Sequence, residues 1–394
     1  MKSGIPSGRV VIDGNLSAAY GALLCKPEVI SAYPVTPQSP VVESLSKFHA
    51  RGLTDAEFVP VEGENSAMGV MMGASAAGAR VFTATSGLGL NFMFDAFLMA
   101  GRRGLPIVMV NVCRDDPPGV AIGEQDIMGQ LDAGWIHIHV ENCQEILDSI
   151  IMAYRLAEDP EVLLPVVVCY DGWYLSYQSE SVSIPSQEEV MRFVPYMSHL
   201  RPRLDPDEPM SFSVVFTGQE VTEVRYKQMQ SMEKVKHKIE LIDAEFNKAF
   251  GRGYGGRIDT YRAEDADLLL MTMGSCTGTA RQAVDNKRDE GISVGLVKVR
   301  LFRPFPQEEL AQIVRGRNAV GIIDRNVCFG WNCGHLFMES KAALYGSGTE
   351  APLFNFIGGI QSDITTKHIE RVIDRTFRAS QGERMNQVTW LDLE

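Results

Sequence analysis

Between Val29 and Asp171 short apolar, β-branched runs recur, each separated from the next by a stretch of helical character. The runs are Val29–Tyr33, Phe58–Val61, Val81–Thr85, Leu105–Cys113, Trp135–Val140 and Leu164–Tyr170. Between and before them lie helices expected at Asn15–Leu24, with Asn15 as N-cap, at Pro40–His49, after Glu64, at Asn91–Gly101 and at Glu145–Ala157. A strand that is apolar without alternation has to be buried on both faces, and strands separated by helices pair in parallel with the helices as cover. The pattern therefore predicts an α/β fold built on a parallel sheet.

In such a sheet ligands lie beyond the carboxyl ends of the strands. Tyr33 and Thr36, Glu62 and Glu64, Ser86 and Gly87, Arg114, and Asp171 all follow directly on an expected strand. Pro34 and Pro37 stop the first of these strands and stiffen the loop that carries Tyr33 and Thr36. The stretch Phe58–Glu64 (FVPVEGE) ends in two carboxylates and leads into a helix rich in Ala, Gly and Met, which lets other groups approach closely. At such a position the helix dipole favours a charged carboxylate and burial favours a neutral one, a balance suited to handling protons. The same acids also fit an ordinary first helical turn, and Arg114 fits either a bidentate substrate-carboxylate site or a pair with Asp115 or Asp116.

The texture changes after Tyr177. Residues 178–215 are proline-rich and without periodicity, as expected of an extended connection wrapping a neighbour, and 218–250 read as one long, charged helix closed by Gly251. A second α/β unit begins near Ala266, with strands at Leu268–Met273, Val294–Val299 and Ala319–Asp324, and residues 376–394 read as a docking tail. The expected division is 1–177, 178–260 and 261–394.

Several functions are disfavoured. With 50 acidic against 37 basic residues the net charge is −13, unsuited to general nucleic-acid binding. The N-terminal residues lack a secretory h-region and no apolar run is long enough to span a bilayer, so a cytoplasmic location is expected. The seven cysteines are scattered, in the manner of buried reduced thiols; the closest pair, Cys328 and Cys333, makes a poor metal or iron–sulfur signal. Ser86-Gly87-Leu88-Gly89 offers G-x-G, but Phe92 stands where a third glycine would be needed, and neither a Walker lysine motif nor a G-x-S-x-G elbow is present. His137 and His139, in an alternating segment, read as satisfied strand residues, not metal ligands.

Tyr33-Pro34-Val35-Thr36-Pro37-Gln38-Ser39, preceded by GNLSAAYGALL and followed by EGENSAMGVMMGASAAGARVFTATSGLGL, resembles the N-terminal region of the 2-oxoacid:ferredoxin oxidoreductases, in the α subunit of their multi-subunit members. The resemblance runs from about Val10 to Gly172, weakens over 178–260, and resumes over 266–394, where LVKVRLFRPFP and GIIDRNVCFG mark a transketolase C-terminal-like domain. It implies a pyrimidine-type thiamine diphosphate domain followed by that second domain. It also implies oxidative decarboxylation of a 2-oxoacid, the electrons leaving through iron–sulfur clusters and the acyl group usually passing to coenzyme A.

By the same resemblance Glu64 matches the glutamate that hydrogen-bonds N1′ of the cofactor and promotes loss of its thiazolium C2 proton, and Thr36 and Arg114 match residues that hold the substrate's carboxylate and carbonyl. Tyr33 shapes the pocket, Ser86, Gly87 and Asp171 line the cofactor, and Glu62 is structural. Trp173 and Tyr177 depart from the commoner phenylalanine and histidine, which bears on the fine shape of the site. The family's diphosphate–Mg2+ motif and cluster cysteines are absent from the chain. The resemblance thus implies half an active site, completed by a β-type subunit and accompanied by a ferredoxin-like iron–sulfur subunit, a γ-type subunit and, for an NAD-linked enzyme, a flavoprotein. Gln38 and the loop 115–126 are the expected places for substrate selectivity. A transketolase-like transferase, a non-oxidative decarboxylase and a non-catalytic scaffold are the alternatives.

Overall fold

The computed structural model describes residues 4–115, 121–196, 202–211 and 217–393. A seven-stranded sheet contains β2 (Val29–Ile30), β3 (Glu57–Phe58), β4 (Val81–Thr85), β5 (Val108–Cys113), β6 (Ile136–His139), β7 (Val166–Asp171) and β12 (Leu301–Arg303), in the spatial order β12-β6-β7-β5-β4-β2-β3. All neighbours are parallel except the β12–β6 pair. The strands from β4 to β7 are wholly buried, the histidines of β6 included. One face is covered by the helices Gly14–Leu24 and Cys143–Ala157 and by the second half of the helix Gln219–Phe250, whose Val235, Ile239, Ile242 and Phe246 enter that core.

Three local expectations shift. Only Val29–Ile30 of the run to Tyr33 pairs, because the prolines that follow have no place in a ladder. The run Phe58–Val61 is not a buried strand: β3 is two residues long, only partly covered, and forms the sheet edge. The first helix is capped by Asp13, whose Oδ1 accepts the Leu16 N–H at 2.7 Å, while Asn15 is buried and spans the Pro37 carbonyl (3.0 Å) and the Tyr170 hydroxyl (2.9 Å). A small antiparallel pair, β1 (Gly8–Asp13) with β8 (Ser179–Ile184), anchors the start of the proline-rich stretch on the first unit itself.

The second sheet comprises β9 (Ile258–Tyr261), β10 (Leu268–Thr272), β11 (Val294–Val299), β13 (Ala319–Asp324), β14 (Leu353–Ile357) and β15 (Val388–Trp390), in the order β15-β14-β13-β10-β11-β9. The expected tail docks on its own sheet, as the amphipathic helix Thr366–Ser380 and the edge strand β15. Among the described residues, no helix is long and apolar enough to cross a membrane.

The two units share an apolar core in which Met109, Trp135 and Val167 of the first join Leu269, Met271 and Val320 of the second. Immediately after β11 the chain enters the first sheet, where β12 pairs with β6 instead of turning directly into a helix. At that crossing Glu145, fully buried, accepts from Lys298 Nζ at 2.6 Å and Arg300 Nε at 2.8 Å, and Arg300 also donates to Ser149 Oγ at 2.8 Å. His137 and His139 of β6 lie here too. Both rings are buried, but neither nitrogen of His137 nor Nε2 of His139 has a partner among the described residues, so they are not satisfied as expected. Burial holds both neutral, pushing His139 down to about 3.

Replacing one member of a buried ion cluster leaves the others desolvated and unpaired. Glu145→Ala is expected to lower unfolding stability by roughly 3–5 kcal/mol, measured as a shift of the denaturation midpoint of the purified protein, with Lys298→Met in the same background restoring part of it.

Candidate active site

The rim residues come from five adjacent strands. In the order β7-β5-β4-β2-β3, the carboxyl ends present Asp171, Arg114, Ser86–Gly87, Tyr33–Thr36 and Glu62–Glu64. Glu64 opens the helix Glu64–Ala76 behind an extended Gly63, and it is 8% exposed. Its carboxylate rests against Gly89 and Thr85 and takes no hydrogen bond or ion pair from any described residue, while Thr85 Oγ1 beside it is buried without a partner. Glu62 is exposed and accepts the hydroxyl of Ser66 one turn on, a local contact that keeps its carboxyl below the ordinary range.

Arg114 is also 8% exposed, and it lies across Gly87. A Cβ on Gly87 would overlap its guanidinium, and Gly87 has φ +52°, so the position is closed to side chains on two counts. Among the described residues Arg114 Nε is buried without a partner and no ion pair joins Arg114 to Asp115, while Asp116, the other expected partner, lies outside the described residues. The turn Ser86–Gly89 is therefore a common floor: Arg114 sits on its first glycine and Glu64 against its second. Ser86 itself is buried, its hydroxyl donating to the Val112 carbonyl at 2.6 Å, and the Gly87 N–H donates to Asp126 Oδ2 at 2.9 Å. These two residues shape the floor but present no free polar group.

Tyr33 and Thr36 stand exposed on the neighbouring loop. Gln38, an expected selectivity residue, is fully buried and braces that loop: its amide donates to Ala84 O at 3.0 Å and its Oε1 accepts from Val35 N at 3.3 Å. The loop 115–126 is described only at 115 and 121–126. Asp171 is not open to a ligand. Its Oδ2 accepts from Arg325 Nη1 at 2.7 Å and from the N–H and hydroxyl of Ser275, both on the second unit.

Sequence reasoning included Glu124 and Asp126 in the expected selectivity loop 115–126 but singled out neither. Asp126 is fully buried and its Oδ2 gathers Gly87 N (2.9 Å), Asn111 Nδ2 (2.9 Å) and Arg114 N (3.3 Å); burial pushes its carboxyl up to about 6 against these donors. Glu124 is buried beside Asp171 and Gly274 and, among the described residues, its carboxylate accepts only from Asn326 Nδ2 at 3.3 Å, and burial together with the Asp171 charge pushes it up to about 8, with Arg325 opposing. Spacing could have singled out neither, because a buried acid in a loop has the same sequence appearance as a solvated one.

A rim with a carboxylate and a guanidinium that have no partner among the described residues, each against a glycine of one turn, is suited to a ligand bearing both a nitrogen heterocycle and a small anion. Residues 20–244 match the family described as pyruvate flavodoxin/ferredoxin oxidoreductase, thiamine diphosphate-binding, and residues 266–369 match core domain II of pyruvate:ferredoxin oxidoreductase. This chain belongs to that family.

Among curated members, pyruvate synthase subunit PorA of Methanothermobacter thermautotrophicus is 42% identical over 389 residues, covering 98% of each chain. The α subunit of NADH-dependent phenylglyoxylate dehydrogenase from Aromatoleum evansii is 41% identical over 93% of this chain and 90% of its own. Ketoisovalerate oxidoreductase subunit VorA of Pyrococcus horikoshii is 38% identical over 98% of both. As a member of the oxidoreductase family, the chain is a subunit of a thiamine-diphosphate-dependent 2-oxoacid oxidoreductase. The fold is shared with 2-oxoglutarate:ferredoxin oxidoreductase from Magnetococcus marinus, solved with 2-oxoglutarate, coenzyme A and succinyl-CoA, at TM-score 0.74 and 20% identity over 94% of this chain and 66% of that one. A split-gene transketolase aligns more distantly, at TM-score 0.52 and 13% identity.

The raised carboxyl of Glu124 has a direct consequence. Its folded-state value lies above the ordinary 4.5, so the folded protein holds this proton more tightly than the unfolded chain, and the associated stability is present at acid pH and lost as pH rises towards about 8. Glu124→Gln keeps an acceptor for Asn326 and never ionises. Its stability relative to the parent is expected to grow by more than about 2 kcal/mol from pH 5 to pH 8, and parallel denaturation series at the two pH values measure this.

Proposed function

We propose that this oxidoreductase subunit supplies the pyrimidine side of a thiamine diphosphate site and the pocket for the 2-oxoacid, with a β-type subunit supplying the diphosphate and Mg2+ side. The observation that carries the reading is the Glu64 carboxylate, buried at a helix start, without a partner among the described residues, and seated in the space that the absent side chain of Gly89 leaves. When bound, thiamine diphosphate supplies the electron sink for decarboxylation. Glu64 would hold N1′ of the aminopyrimidine by a hydrogen bond, sharing a proton with that nitrogen. Arg114 pairs with the substrate carboxylate through charge-assisted hydrogen bonds, which fixes the acid for loss of CO2. Thr36 donates to the carbonyl oxygen and Tyr33 walls the pocket.

Ser86 and Gly87 hold the floor by their own hydrogen bonds, while Asp171 joins the two units and is assigned no direct cofactor contact. The 1–177 unit carries this chemistry; 178–260 straps it, and 261–394 packs behind the rim. The subunit names of the relatives support a hetero-oligomer. Within it we assign iron–sulfur clusters to a ferredoxin-like subunit, with a γ-type subunit, coenzyme A as acyl acceptor, and a flavoprotein where the final acceptor is NAD. Free cysteines, all but Cys328 buried, accord with a cytoplasmic location.

The test is the assembled complex purified with this chain. It is expected to carry iron–sulfur absorbance and bound thiamine diphosphate, and to reduce a dye with pyruvate, ketoisovalerate or phenylglyoxylate. Glu64→Gln should lower kcat by at least about 100-fold while assembly and substrate binding persist. Full activity in that variant would leave the chain a scaffold, and turnover without iron–sulfur partners would favour a transferase or simple decarboxylase.

A further inference from the structure

Three consecutive side chains, Glu124, Gln125 and Asp126, leave the chain in different directions. Asp126 reaches the rim, where one oxygen receives the backbone N–H groups of Gly87 and Arg114 and the amide of Asn111, and the other receives the N–H of Ile127 at 2.8 Å. Gln125 Oε1 accepts the N–H of Val327 at 3.0 Å, and Glu124 accepts from Asn326 at 3.3 Å, both in the loop after β13 of the second unit. Asn326 is held in turn by the His335 N–H, which donates to its Oδ1 at 2.9 Å. Asp126 therefore sets the spacing between the two pieces of backbone that place Arg114: the residue's own and the glycine it lies on.

We propose that Asp126 is the positioning residue for Arg114, and that the second α/β unit tunes 2-oxoacid binding through the contacts of Asn326 and Val327 with Glu124 and Gln125. This rests on the reading that Arg114 binds the substrate carboxylate. A guanidinium that pairs bidentately with a carboxylate tolerates little displacement, so its backbone support controls affinity. No described contact of Asp126 is with Glu64 or Thr36, so the effect is specific to the anionic end of the substrate.

The experiment uses the whole complex and whichever of pyruvate, ketoisovalerate and phenylglyoxylate it turns over fastest. Asp126→Asn is expected to raise KM about tenfold or more, with kcat changed less than about threefold. In the Glu64→Gln complex, where chemistry is blocked, calorimetric Kd for the same acid is expected to weaken about tenfold when Asp126→Asn is added. Gln125→Ala and Asn326→Ala are expected to weaken it about two- to fivefold, without adding to Asp126→Asn. Arg114→Lys is the control. If Arg114→Lys weakens Kd and none of the other three variants does, the inference is overturned and the reading of Arg114 stands; if Arg114→Lys has no effect, that reading is what fails. Should Asp126→Asn not assemble, the Gln125 and Asn326 variants decide, since both leave Asp126 in place and an unchanged Kd in both overturns the proposal.

Discussion

A parallel sheet imposes two conditions at once: both faces must be buried, and every strand ends on the same side. In this chain the first condition recruits the second unit. Helices cover one face of the seven-stranded sheet, and on the other Met68 and Met71 of helix Glu64–Ala76 and Phe97 of helix Phe94–Arg102 share a core with the six-stranded sheet. That contact is closed by charges as well as apolar groups, because Glu145 binds Lys298 and Arg300 where the chain crosses between sheets, and Asp171 binds Arg325 at the rim. Buried ion pairs contribute little net stability but penalise any arrangement that separates the partners. They fix how the two units meet more than they strengthen the meeting.

The second condition makes the site. Because the strands are parallel, residues scattered from Tyr33 to Asp171 arrive on one rim in spatial order, and this was legible from hydrophobic runs and the polar residues that end them. Strand Val294–Val299 and strand Ala319–Asp324 were legible to the residue for the same reason. What stayed hidden was the partner of each segment. Periodicity reports that Leu301 and Phe302 are buried, not that β12 is buried in the other unit's sheet. It cannot separate Gln38, a brace for its own loop, from a residue that meets substrate, since both are polar and follow a strand. Nor does it show that His137 and His139 are enclosed without partners.

The acids mark the clearest limit. Glu62, Glu64, Glu124, Asp126 and Asp171 all lie at or near strand ends, yet the structure gives them four different environments. Glu62 is solvated, Glu64 is buried without a partner among the described residues, Asp171 is paired with an arginine, and Glu124 and Asp126 are buried with neutral hydrogen-bond donors. Local sequence carries the charge of a side chain but not the desolvation that decides what the charge is for. Only the resemblance singled out Glu64 from the rest.

The glycine turn shows why the free carboxylate is placed for chemistry. Arg114 and Glu64 meet the Ser86–Gly89 turn at different glycines, and each occupies the space that a Cβ at Gly87 or Gly89 would fill. A side chain at either glycine would push the arginine or the carboxylate away from the rim, so the spacing of a cation-binding and an anion-binding group is set by backbone alone. Backbone is also what Asp126 holds, from beneath, through Gly87 and Arg114. A ligand that reaches across this turn meets groups whose separation is fixed before it binds, and preorganisation of that kind conserves binding energy for the reacting state. The edge strand β3, two residues long and only partly covered, leads into this same turn of chain at Glu62–Glu64.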